Sequence, residues 1–152
     1  MEFLAGIHPK VVHFPIAFLM FYPLMELIFL FTGKDFFSKA AMLFLTIGVI
    51  GSFFAVLSGN QAFEFVKNWN DEGKAVFSEH QTFANWTVWY FSVLLVIRYF
   101  LFIKKKINST IISVIFVLSL IGVYLVYQAG NYGGKLAEQV IINSTSSIQD
   151  EK

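Results

Sequence analysis

The sequence predicts an all-α transmembrane four-helix bundle with an interfacial helix between its second and third spans, and three observations lead there. First, 57% of the 152 residues are hydrophobic and 14% are charged, against a usual ~25% charged in soluble domains. Second, the charges are clustered. Ala40 to Phe63 holds none, nor does the stretch between Lys106 and Lys135, while Lys10 to Lys34 is interrupted only by Glu26 and His80 to Lys104 only by Arg98. Each gap meets or exceeds the ~20 residues a helix needs to cross ~30 Å of hydrocarbon. Third, the apolar runs are long and lack the period-2 alternation of a membrane barrel.

The spans are expected at about 11–32, 40–60, 82–103 and 110–130, giving a transmembrane domain over 1–135 and a polar tail over 136–152. The first apolar run is too long for a cleaved signal and lacks a small-x-small cleavage site, so it reads as a retained span. Pro15 and Pro23 within it free the carbonyls of Val11 and Leu19, which invites a kink. The second span carries Gly48, Gly51, Ser52, Ala55, Ser58 and Gly59 at three- and four-residue spacing. Such a face lets a neighbouring helix approach closely, which is how helices associate in lipid. Between spans two and three, "NQAFEFVKNWNDEGKAVFSEHQ" sets Phe63, Val66 and Trp69 on one side and Glu64 and Lys67 elsewhere. That pattern suits a short amphipathic helix at the interface. The tail, "INSTSSIQDEK", has the composition of a disordered segment.

Lys34, Lys39, Arg98, Lys104, Lys105 and Lys106, six of the eleven basic residues, fall in or beside the two short loops on one side of the membrane. Positive charge marks the cytoplasmic side. Both termini are therefore expected outside, in the periplasm if this is a bacterial inner-membrane protein. Glu26 and Arg98 lie inside spans, where each alone costs roughly 2.5–3.5 kcal/mol or more at the bilayer centre. Counted from the helix ends they differ by about 7 Å in depth, so a structural ion pair is expected.

Three histidines carry the functional question. His8 and His13 stand in "HPKVVHFP" at the outer end of the first span, and His80 at the outer end of the third. Neutral imidazole is the commonest biological metal ligand, and facing histidines in a bundle can hold haem b or a metal. His13 lies a turn deeper than His8, so His13 with His80 is the expected haem pair. A zinc or copper site would use His8, His13 and His80, with Glu79 or water completing it. The alternative is a cofactor-free structural or assembly subunit whose histidines only stabilise the bundle. With no cysteine, iron–sulfur clusters and covalently attached haem are excluded. No nucleophile–base pair stands out, so independent catalysis is not expected, and the only basic cluster is a membrane-flanking turn, which gives nucleic-acid binding no support.

"HPKVVHFPIAFL", the "MEL" that ends the first span, a glycine late in the second, "EHQTFANW", the late Arg98 and "GNYGGKL" together resemble the domain-of-unknown-function 2231 family. The resemblance covers most of the chain in order and carries over His8, Pro9, His13, Pro15, His80, Gly133 and Gly134. Members are small four-helix membrane domains, sometimes fused to Rieske-type or c-type cytochrome modules. This implies a role near periplasmic electron transfer, with other subunits of a redox complex or a periplasmic electron carrier as partners besides the lipid bilayer. Many members continue past the diglycine into a valine-rich stretch with a further histidine. Here "GGKLAEQVI" has none, so a two-haem scheme needing four histidines is excluded.

Overall fold

The computed structural model describes residues 2–65 and 70–150, with side chains described for 6–64 and 70–140. Five helices follow in order: α1 (Glu2–Val11), α2 (His13–Thr32), α3 (Asp35–Phe65), α4 (Asp71–Ile103) and α5 (Ser109–Asp150). Four stretches are long and apolar enough to cross a membrane, the first formed by α1 and α2 together over Gly6–Thr32. The all-α transmembrane bundle is what the uncharged gaps predict.

The ends of the helices have local causes. Pro15 has no N–H for the carbonyl of Val11, and the helix breaks there, with Val12 joining α1 to α2. The break is mild, since Val12 N–H still donates to His8 O at 3.1 Å and Ile16 N–H to Val12 O at 3.3 Å. Pro23 lies in α2 without ending it. Gly33 closes α2 in the left-handed region at φ 63° and donates its N–H to Phe29 O, a conformation glycine adopts without steric cost. Asn70 caps α4 by accepting from Gly73 N–H at 2.7 Å, and Asn108 does the same for Ile111 N–H before α5 at 2.9 Å.

Two expectations are corrected. No separate interfacial helix lies between the second and third spans among the described residues. Phe63 belongs to the end of α3 and stacks on Phe77 near the start of α4, with ring centroids 3.6 Å apart. α3 and α4 continue as helices beyond the expected span ends at 60 and 82 and meet through this aromatic contact; Val66 and Trp69 fall outside the described residues. α5 continues through the polar segment from 136 to Asp150, where a disordered tail was expected.

α2 packs between α3 and α5, and α4 packs between the same two, so α2 and α4 stand diagonally across the bundle. Tyr22 of α2 and Phe91 of α4 meet at its centre, edge to face at 6.4 Å. Leu19, Leu45, Val49, Leu94, Ile112 and Ile115 surround them. Gly122 of α5 admits the Phe91 ring where any Cβ would collide with it. The glycines of α3 form the seam for the first span in antiparallel register. Gly48 lies under Leu19, Gly51 under Pro15 and Gly59 under His8. Large apolar side chains such as Phe54, Leu57, Trp89 and Val96 point outward, as lipid-facing positions should.

α1 departs from the bundle pattern. It packs on α3 and touches α2 at the break, but among the described residues it makes no close backbone contact with α4 or α5. The break at Val12 thus leans the start of the first span toward α3 and leaves space beside α5.

Candidate functional site

That space is a cavity of about 670 Å³ lined by all five helices, and His8, His13 and His80 all border it. Its depth follows from helix geometry. His8 lies 24 residues before Thr32, and His80 lies 23 before Ile103, so at 1.5 Å per residue both are about 35 Å from the opposite loops. Against ~30 Å of hydrocarbon, the cavity sits at one edge of the bilayer.

His80 is half-buried on α4, and its Nδ1 lies 2.9 Å from the carbonyl of Ala129 on α5. A carbonyl only accepts, so Nδ1 carries the proton and the neutral ring keeps its lone pair on Nε2. His8 is half-buried on α1, with Nδ1 2.9 Å from Ser58 Oγ. Ser58 gives its hydrogen to Ala55 O at 3.1 Å, so the hydroxyl accepts from His8 Nδ1–H. His8 therefore has the same tautomer, with Nε2 free.

Each ring also lies over a glycine. A Cβ at Gly59 would come within 2.9 Å of His8 Cε1, and one at Gly133 within 3.2 Å of His80 Cε1. Gly134, the second residue of the diglycine, lines the cavity, but a Cβ there would meet nothing within 4 Å. The rest of the lining is mainly apolar or small. Asn60 and Gln81 add a neutral polar bridge, Gln81 Nε2–H donating to Asn60 Oδ1 at 3.1 Å.

His13, favoured on sequence for its depth, is exposed and makes no hydrogen bond among the described residues. Val12 keeps helical dihedrals, and five residues on a helix set two side chains about 140° apart, so with His8 turned toward Ser58 and Gly59 of α3 His13 faces the outside. No group of three or more His, Cys, Asp or Glu side chains suited to a metal ion occurs among the described residues. The three-histidine zinc or copper arrangement is accordingly not assembled, and Glu79 is exposed and absent from the cavity lining.

A second polar cluster lies at the other end of the bundle. Arg98 Nε donates to Glu26 Oε1 at 2.7 Å, and Arg98 Nη2 to Ser38 Oγ at 2.8 Å and to Glu26 Oε2 at 3.5 Å. Glu26 and Arg98 are both fully buried. Arg98 Nη1 and Tyr22 Oη, also buried, are left without a hydrogen bond. Ser38 was missed on sequence. Its signal was its place one turn into α3, at the depth of Glu26 and Arg98.

A family model described as "Predicted membrane protein (DUF2231)" matches residues 5–145, and the chain belongs to that family. No curated protein and no solved structure matches it.

Proposed function

We propose that this DUF2231 membrane protein holds one haem b between His8 and His80 near the outer face of the cell membrane, and that it serves as an electron-transfer module or as a subunit of a redox complex. The observation that carries the reading is the matched pair of imidazoles bordering one cavity. Each has its Nδ1–H engaged by an oxygen acceptor and its Nε2 lone pair left over. Metal-ligating histidines almost always show this second-shell pattern, which fixes the tautomer and raises the ligand's basicity. The cavity volume of about 670 Å³ falls within the ~300–1,000 Å³ of small-molecule and cofactor pockets. When bound, haem iron supplies a one-electron couple.

The protein's part is to hold and to exclude. Ser58 and the Ala129 carbonyl orient the rings, Gly59 and Gly133 leave room for them, and the apolar walls keep water away. Lys10 and Lys135, both exposed, stand near the outer end, where the two propionates would reach water. A cofactor-free bundle would be expected to close such a space, since interiors are packed with few voids larger than a water molecule. The lysine bias of the loops after the first and third spans supports an orientation with both termini outside.

The test is the visible spectrum of detergent-purified protein from haem-replete cells, ferric and then dithionite-reduced, with a pyridine haemochrome assay. A sharp reduced α-band and about one haem per chain are expected for bis-histidine ligation. A colourless protein would return the histidines to a purely structural role.

A further inference from the structure

The cavity is not closed on every side. Asn60, Asn85 and Val140 are exposed in its lining, and so are Pro9, His13 and Ile16 on α1–α2 at one side and Gly130, Gly134 and Ala137 on α5 at the other, the two sets that border the gap between α1 and α5. The gap exists because α1 leans on α3 and makes no close backbone contact with α5 among the described residues. On the α5 side it is bordered by two glycines and an alanine, where larger side chains would fill it. At 1.5 Å per residue its borders run from about 24 Å (Ile16) to about 42 Å (Ala137) from the opposite loops, so it straddles the edge of the ~30 Å hydrocarbon. It opens sideways, toward lipid, at the level where an amphipathic molecule keeps its polar head.

The chemistry of the gap narrows the occupant. The described cavity lining holds no Lys, Arg, Asp or Glu, so a head inserted between the helices has no counter-charge there and must be neutral. His13 stands at the rim with an imidazole that makes no hydrogen bond within the described protein, and such a ring both donates and accepts. A neutral ring bearing carbonyl or hydroxyl oxygens on a long apolar tail satisfies depth, charge and hydrogen bonding together.

We propose that the gap between α1–α2 and α5 is the lateral entrance for a lipid-soluble quinone, whose ring docks against His13 while its tail stays in the bilayer. The docking position is at the rim of the cavity that His8 and His80 border, and it does not require haem. It also gives His13 a task distinct from ligation.

The probe is an azido-quinone with a decyl tail, photolysed with the full-length protein in phosphatidylcholine nanodiscs and mapped by peptide mass spectrometry. Labelling is expected to concentrate in residues 9–16 and 130–137, and unlabelled decyl-quinone should compete it away. His13→Ala, an exposed change that leaves the core intact, should weaken competition about tenfold, the scale of one lost hydrogen bond. Gly130→Leu should suppress labelling by filling the gap. Even labelling along all lipid-facing helices would overturn the proposal. So would equal labelling of the same segments by a photoactivatable phosphatidylcholine, which would mark a general lipid crevice. Protein prepared with and without haem separates the two readings: labelling in both with no cofactor spectrum removes the haem alone, and a haem spectrum with dispersed labelling removes the quinone alone.

Discussion

The two polar clusters of this bundle are built on opposite terms. At the end that the proposed orientation makes the inner one, Glu26, Arg98 and Ser38 come from three helices and close on each other in buried contact. At the outer end, His8 and His80 each spend one nitrogen on a neighbouring helix, leave the other uncommitted, and border a cavity. Close-packed Leu19, Tyr22, Val88 and Phe91 lie between the clusters. A buried ion pair whose carboxylate and guanidinium are spent on each other and on Ser38, with only Arg98 Nη1 and Tyr22 Oη left over, ties α2, α3 and α4 together at one depth. A pair of oriented imidazoles over glycines gains little stability from its arrangement and leaves two lone pairs available. The difference teaches where stability and function reside, and mutations should separate the two.

The sharpest break comes from the inner cluster. Arg98→Ala leaves Glu26 buried without its partner and should cost about 3–5 kcal/mol, read as a lowered midpoint in SDS or thermal unfolding of the detergent-solubilised protein. The double change Glu26→Met with Arg98→Leu should recover most of the loss, because a well-packed apolar pair can replace a buried ion pair. A double variant as unstable as the single one would mean that the cluster does more than hold helices together.

Between the clusters, Gly122→Ala drives a methyl into the fully buried Phe91 ring. Overpacking of this kind should cost about 1–3 kcal/mol in the same unfolding measurement, with little change in the ligation of any haem that remains bound.

At the outer site the readouts should diverge. Ser58→Ala removes the acceptor of His8 Nδ1–H and should cost about 0.5–1.5 kcal/mol. A less basic His8 donates less electron density to ferric iron, so a spectroelectrochemical titration should show the haem becoming easier to reduce. Gly133→Ala should have the smallest effect on stability. The helix gains roughly 0.5–1 kcal/mol of propensity from the change, which offsets the push on His80 at 3.2 Å. Its haem content, measured by pyridine haemochrome, should nevertheless fall. A variant that lost stability and kept its haem would erase the distinction between the two ends.

The inner cluster was largely legible in the sequence and the outer one only in part. Glu26 and Arg98 are the two charges within long apolar runs, and the cost of leaving either alone, together with matching depth, pointed each to the other. Gly48, Gly51 and Gly59 repeat at helical spacing, and they form the seam on which Leu19, Pro15 and His8 lie. The four spans followed from uncharged gaps longer than a bilayer is thick. Which histidine faces inward was not legible, because depth favoured His13 and depth does not fix the face a ring takes. Five residues on a helix set the two rings about 140° apart, and the packing of α1 on α3 turns His8 in and leaves His13 out. The stretch around Phe63 misled for a related reason. An amphipathic pattern fits an interfacial helix and a protruding helix pair equally well, and the Phe63–Phe77 stack, a contact between distant residues, decides between them. The diglycine could be singled out as a motif, but not which of its two residues accommodates a ring. That role falls to Gly133, which lies under His80, and not to Gly134.

The measurement that tests the central claim most directly is haem content per chain in His8→Ala, His13→Ala and His80→Ala, purified side by side with the unaltered protein. If the outer site is a ligand pair formed by His8 and His80, those two variants lose the haem while remaining folded, and His13→Ala keeps about one per chain with an unchanged reduced α-band. Loss of haem in His13→Ala with retention in His8→Ala would contradict the assignment and move the ligand past Val12 to the start of α2.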